Sequence, residues 1–150
     1  MINSFLISLA TAMTLLGYTP EDLNCLTEAI YFEARGEPLS GQLAVGNVIM
    51  NRVGSDNFPD TICGVVHQGK QINGRMVRHK CQFSYYCDGK KEEYDDREAY
   101  IISSKVAMDV IFEPSYEMYD ALYYHSVTVE PFWSHTKEYL GSIGNHEFYK

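Results

Sequence analysis

Residues 19–53, TPEDLNCLTEAIYFEARGEPLSGQLAVGNVIMNRV, decide the fold class. Thr19 is suited to cap a helix, Pro20 fits the first helical position, and Glu21 and Asp22 sit where the helix dipole favours acids. A helix is therefore expected from Pro20 to about Ala34, with Gly36 and Pro38 ending it. Ser40 should open a second helix, Gly41 to Val53, whose Leu43, Ala44, Val45, Val48, Ile49 and Met50 make it apolar nearly all round. Such a helix belongs in the middle of a core. Its polar exceptions, Asn47 and Asn51, lie four residues apart on one face and are expected to hydrogen-bond within a local network.

Downstream, between Gly54 and Lys91, short apolar pieces are broken by Gly, Pro and Asn, and Asn73-Gly74 offers a tight hairpin turn, so a small β lobe is expected. Asp95 or Asp96 should start a third helix carrying Ala99, Ile102, Val106 and Val110, with Pro114 ending it. Ala121 to His125 and Ile143 to Tyr149 resemble short strands around an irregular, aromatic-rich loop. Upstream, the apolar stretch Phe5 to Leu16 has no positive flank, because the first basic residue is Arg35, and it is shorter than the ~20 residues needed to cross a bilayer. A helix packed on the core is expected there, with no stable membrane insertion. The chain thus divides into an N-terminal apolar segment, 1–20, and one domain, 21–150, of class α+β, mostly helical with a small β lobe.

Composition narrows the function. A chain of 150 residues with 45% hydrophobic content buries one sizeable core. Its net charge of -8 has the wrong sign for neutralising phosphates, which argues against nucleic acid as a partner. Twelve Tyr residues suit a groove that packs sugar faces while bonding their hydroxyls. Cys25, Cys63, Cys81 and Cys87 contain no C-x-x-C pair, so zinc or redox motifs are disfavoured; two disulfides and buried thiols are both compatible with the spacing.

At 100° per residue, Leu26, Ala29, Ile30 and Glu33 form one stripe of the first long helix, while Glu28 points about 140° away from Glu33. A carboxyl among Leu, Ile and Ala loses solvation in its charged form, so its pKa should rise towards that of a general acid. The competing assignment pairs Glu33 with Arg35 or Arg52. Glu28 and Glu37 are expected at the surface or as capping groups.

These residues carry a resemblance. Ala29-Ile30-Tyr31-Phe32-Glu33-Ala34-Arg35-Gly36-Glu37, then Gly41-Gln42, Ala44-Val45 and Asn51-Arg52-Val53, resemble the opening motif of the SleB/CwlJ family of cell-wall hydrolases. The series continues through Phe58 to Val66, Cys81-Gln82-Phe83-Ser84, Cys87-Asp88-Gly89, Tyr123-Tyr124-His125, Pro131, Trp133 and Ile143 to Tyr149. The resemblance implies a lysozyme-like α+β fold related to lytic transglycosylases, with Glu33 catalytic. It also implies peptidoglycan as the partner, acting as a monomer at the bacterial cell wall, periplasmic or extracellular, without a cofactor.

Gln82, Ser84, Tyr124, His125 and Trp133 are the family-matching residues expected to line a substrate groove, with Gln82 and Ser84 facing one side and Phe83 the core. His125, His135 and His146 could in principle serve a zinc amidase, but no H-E-x-x-H spacing occurs and structural histidines are expected instead. Glycan cleavage by a lytic transglycosylase needs only one carboxyl. An inverting muramidase needs a second carboxylate ~6.5–9.5 Å away, for which Glu37, Asp88 and Asp120 are candidates. A non-catalytic wall-binding module is the alternative from another class. A phage lysis enzyme released through a membrane pore would need neither export signal nor wall-binding module, which makes that origin an expectation.

Overall fold

The computed structural model describes residues 8–113, 115 and 117–150. Its element order is α1 (Leu9–Leu15), α2 (Pro20–Ala34), α3 (Leu39–Val53), α4 (Ile62–Val66), β1 (Gly69–Ile72), β2 (Arg75–Cys81), a 3-10 turn (Ser84–Cys87), α5 (Arg97–Phe112), β3 (Tyr123–Ser126), a second 3-10 turn (Phe132–Thr136), β4 (Tyr139–Ile143) and β5 (His146–Tyr149). The α+β class expected from sequence is the one observed.

α2 starts as its sequence dictates. Thr19 accepts from the Asp22 N–H while the Asp22 carboxylate accepts from the Thr19 N–H, a reciprocal capping box with Pro20 in the first turn. α3 begins at Leu39, two residues before the expected Gly41, because Pro38 holds the N-cap position with its fixed φ. Ala44, Val45, Val48 and Ile49 of α3 are fully buried. One side packs with Leu26, Ala29 and Ile30 of α2, α4 and Val106, Ala107 and Val110 of α5; the other meets Ala121 and Phe148 in a smaller core against the sheet. α3 and α5 cross closely at Gly46, where a Cβ would lie 2.7 Å from Val110 Cγ2.

The polar residues of α3 act over long range rather than in the local network expected for Asn47 and Asn51. Asn47 donates to Ser115 Oγ and the Glu117 carbonyl, both at 2.8 Å, and Asn51 donates to the Ala121 carbonyl at 2.8 Å. Together with Arg52, they tie the chain entering β3 to the central helix. β3, β5 and β4 form an antiparallel sheet in the order β3-β5-β4. The expected strand Ile143 to Tyr149 is in fact the end of β4, a turn at Gly144 and Asn145, and β5; Gly144 takes a positive φ of 56°. The expected strand Ala121 to His125 begins later, at Tyr123. β1 and β2 form the separate hairpin, with Asn73 and Gly74 at φ 51° and 76° as a left-handed turn requires.

Asp96 caps α5 by accepting from the Ala99 N–H, and α5 ends at Phe112; Pro114, expected to stop it, lies outside the described residues. Of the apolar stretch Phe5 to Leu16, residues 5–7 also lie outside the described residues; the rest forms α1, which inserts Met13 into the main core. Among the described residues no helix is long and apolar enough to cross a membrane.

All four cysteines are paired: Cys25–Cys63 joins α2 to α4, and Cys81–Cys87 joins the end of β2 to the following 3-10 turn. Closing loops of 38 and 6 residues restricts the unfolded chain by about 4 and about 2 kcal/mol on the loop-entropy view. Replacing Cys25 and Cys63 together by Ala should therefore lower Tm by roughly 10 °C, and replacing Cys81 and Cys87 by roughly half as much, read in thermal melts under oxidising conditions. Equal and negligible shifts for the two pairs would contradict a stabilising role.

Candidate active site

Glu33 stands one residue before the end of α2 and lines a depression of ≈ 270 Å³. The depression is built from four places in the chain. α2 gives Glu33, α3 gives Arg52, the segment after β2 gives Gln82, Phe83 and Ser84, and the sheet side gives Tyr124, His125, Ser126, Val129 and His146. Phe83 is 2% exposed while Gln82 and Ser84 are exposed, which matches the alternation expected from sequence. Four of the five expected groove residues, Gln82, Ser84, Tyr124 and His125, thus meet around Glu33. Trp133 does not line this depression; its ring packs against Tyr123, His125 and Tyr149 behind it. Arg52 and His146 were not singled out as groove residues. The N-R-V and N-H-E runs held them, yet only their distance in three dimensions to Glu33 marks them out.

The Tyr124 hydroxyl donates to Glu33 Oε2 at 2.8 Å. Burial, with the nearby Glu33 charge, holds Tyr124 well above the usual phenol range, so it remains a donor. Burial also pushes the Glu33 carboxyl above its ordinary value, against the opposing pull of the Tyr124 hydrogen bond and the Arg52 charge. Neither cation considered as an ion partner takes that role. Arg35 lies over the Tyr31 ring, 4.5 Å from its centroid, and Arg52 donates from Nε to the Leu122 carbonyl at 2.7 Å. Among the described residues Glu33 makes no ion pair within 4.0 Å.

Glu28, on the same helix, is not the surface or capping group expected. Its Oε1 accepts from the Tyr85 hydroxyl at 2.8 Å and lies 3.1 Å from His67 Nε2, and Oε2 accepts from the Tyr94 hydroxyl at 3.3 Å. Burial alone would raise its pKa, but the His67 and Tyr85 hydrogen bonds, the attraction of His67 and the Tyr94 bond bring it below the ordinary value. Glu37 is likewise engaged, its Oε2 accepting from the Asn145 N–H at 2.9 Å and holding the β4–β5 turn against the α2–α3 junction. Asp120 pairs with Lys150 at 2.8 Å, and Asp88 accepts from the Lys90 N–H at 2.8 Å. None of these acids lines the depression, so Glu33 is its only carboxylate among the described residues.

His125, His135 and His146, expected as structural histidines although a zinc amidase could in principle use them, do not converge on one place. His125 and His146 line the depression, whereas His135 sits at an exposed pair with Glu130. His125 Nδ1 lies 2.8 Å from the Ser126 carbonyl and must donate there, leaving Nε2 towards the Tyr149 hydroxyl at 3.0 Å. Burial keeps His146 below the usual imidazole range.

The raised Glu33 pKa has a consequence for stability. Folding favours its protonated form, so stability is lost as pH rises from the unfolded carboxyl value near 4.5 through the folded one, and the loss persists at neutral pH. Glu33→Gln should therefore raise Tm at pH 7, by about 2–4 °C for each kcal/mol relieved, and leave it nearly unchanged at pH 3. A lower Tm at pH 7 than at pH 3, relative to the parent, would show that the carboxylate is not held against a desolvation penalty.

Comparison with known proteins places this arrangement. Over 138 residues the chain is 34% identical to a spore cortex-lytic enzyme of Oceanobacillus iheyensis, covering 89% of this chain and 43% of that protein. It is 33% identical over 137 residues to the spore cortex-lytic enzyme of Bacillus cereus, covering 89% and 46% respectively. The chain thus spans less than half the length of these relatives. The solved catalytic domain of the germination-specific lytic transglycosylase SleB from Bacillus anthracis superposes with a TM-score of 0.66 at 32% identity, covering 89% of this chain and 98% of that one. The SleB catalytic domain of B. cereus gives the same TM-score at 31% identity. Residues 36–149 match the sequence profile of the cell wall hydrolases, whose N-terminal limit falls three residues after Glu33, and the chain belongs to that family.

Proposed function

We propose that this protein cleaves the glycan strand of peptidoglycan between N-acetylmuramic acid and N-acetylglucosamine as a lytic transglycosylase, with Glu33 as the single catalytic acid and base. The observation that carries the proposal is the solitary carboxylate: among the described residues Glu33 lines the depression with no second acid, and burial raises its pKa. Kinship with proteins described as spore cortex-lytic enzymes and as a lytic transglycosylase supports the same substrate class. Residues 21–150 would form the catalytic unit, acting as a monomer at the cell wall.

The chemistry balances on one group. Protonated Glu33 gives its proton to the glycosidic oxygen as the bond from the muramic C1 breaks. The resulting carboxylate then takes the proton from the muramic 6-hydroxyl as O6 bonds to C1. Glu33 ends protonated, and no water is consumed. Tyr124 steadies the carboxylate between the two steps by donating to Oε2, the interaction that also keeps its pKa from rising further. Gln82 and Ser84 lie where amide and hydroxyl can bond the sugar hydroxyls, while the His125 ring, its nitrogens engaged by Ser126 and Tyr149, offers a packing surface.

The products test this. Fragments released from purified peptidoglycan should end in 1,6-anhydromuramic acid, lighter by one water than reducing ends, in mass spectrometry of the initial digest, and Glu33→Gln should lower the rate at least about 10²-fold. Reducing muramic ends would indicate a muramidase, and free stem peptides with intact glycan an amidase. Because the acid form of Glu33 is required, activity should fall as pH rises through its pKa. Tyr124→Phe removes a bond to the charged form, so that alkaline limb should move to higher pH; an unmoved or lowered limb would detach Tyr124 from the titrating group.

A further inference from the structure

Arg52 occupies an unusual position for a cation. It is 5% exposed, its Nε is fixed to the Leu122 carbonyl, and its guanidinium carbon lies 4.9, 5.5 and 5.8 Å from the ring centroids of Phe58, Phe83 and Tyr123. The rings and the Nε bond fix its orientation. The two Nη atoms, with four N–H groups, make no hydrogen bond to a described residue, yet they are not among the enclosed atoms that lack a partner. Arg52 lines the depression with Glu33, and its Nη edge is the part of the guanidinium not taken up by the Leu122 bond. No carboxylate lies within ion-pair distance to neutralise the charge among the described residues. A planar cation that is oriented, desolvated and short of acceptors is preorganised for an oxygen ligand, carbonyl or carboxylate, received by two parallel N–H groups.

Resting on the peptidoglycan assignment above, we infer that Arg52 is a substrate-binding residue whose Nη edge receives an acyl oxygen of muramic acid beside the bond that Glu33 protonates. On that sugar the 2-acetamido group sits on the carbon next to C1 and the 3-O-lactyl group one carbon further, and both present such an oxygen on the side of the ring near the reacting carbon. The lactyl group occurs only on muramic acid, so an arginine that holds it would choose which sugar lies on the cleaved side. An arginine holding the acetamido oxygen would accept either sugar there.

Binding measured on Glu33→Gln protein, with and without Arg52→Lys, separates these outcomes, because lysine keeps the charge but loses the fork. Peptide-free glycan oligomers carrying free lactyl carboxylates, and chitotetraose carrying acetamido groups alone, are titrated by calorimetry. Arg52→Lys should weaken the glycan oligomers about 10- to 100-fold. Unchanged chitotetraose affinity then assigns the lactyl oxygen, and an equal loss assigns the acetamido oxygen. Changes within about twofold for both ligands would overturn the inference. If Arg52→Lys does not fold, the nitrogen resonances of Arg52 in Glu33→Gln protein decide. A saturable shift of the Nη signals on adding glycan oligomers supports the contact, and silent signals at saturation overturn it. Failure of Glu33→Gln protein to bind either ligand would instead overturn the peptidoglycan assignment, a result distinct from binding that leaves Arg52 unaffected.

Discussion

The hydrogen bond from Arg52 Nε to the Leu122 carbonyl is the interaction on which the site depends. Leu122 immediately precedes β3, so this bond, with those from Asn47 and Asn51, fixes where the strand leaves the central helix. Two residues later Tyr124 reaches Glu33. The same guanidinium packs against Phe83 between Gln82 and Ser84, and against Phe58 before α4. One buried cation therefore holds the helical core, the β-hairpin lobe and the sheet in register around a single carboxyl. Such an arrangement is tolerable because the charge is spread over a planar group, bonded at one edge and faced by aromatic rings.

α2 carries two carboxylates with opposite fates. Glu28 and Glu33 are both partly enclosed, and burial pushes both upwards. What separates them is depth of burial, greater at Glu33, together with the number of donors. Glu28 collects hydrogen bonds from Tyr85, Tyr94 and His67 and is held below the ordinary range, which suits a charge that anchors the lobe to the helix. Glu33 has one hydroxyl and a cation held away from it, so burial wins. Two acids a turn and a half apart thereby acquire a structural and a chemical character from their surroundings.

The local signals of the chain were legible. The Thr19 cap, the apolar stripe that aims Glu33 inwards, the all-round apolarity of α3 and the Asn73-Gly74 turn are encoded within a few residues, and each forms as its pattern dictates. The long-range pairings were not. Asn47 and Asn51 share a face, but nothing local shows that their partners lie about seventy residues away. The angular argument placed Glu28 away from Glu33, correctly, but could not reveal that the hairpin lobe folds over it and supplies two tyrosines and a histidine. The run Ile143 to Tyr149 holds the turn pair Gly144-Asn145, a hairpin signal that the single-strand reading passed over; Gly144 takes its positive φ there beneath Glu37. Arg52 is legible in the sequence as a candidate ion partner of Glu33 but not as a groove residue, because a lone arginine in a helix has the same composition whether it is solvated or buried.

A single group that must first give a proton and then take one is best served by an intermediate acidity. A carboxyl isolated in apolar surroundings would hold its proton firmly and donate it poorly. A carboxylate in an ion pair would be ionised from the start and have no proton to give. Around Glu33 these two extremes are balanced: Leu26, Ala29 and Ile30 remove water from its helix stripe, whereas Tyr124 and the Arg52 charge stabilise the ionised form without an ion pair. The cation acts at a distance, with its Nε bonded to Leu122 and its guanidinium against the aromatic rings. Had Arg52 closed on Glu33, the depression would hold a neutralised pair and no acid. The cation that bonds the chain entering β3 thus contributes to the acidity of Glu33 without forming an ion pair with it among the described residues.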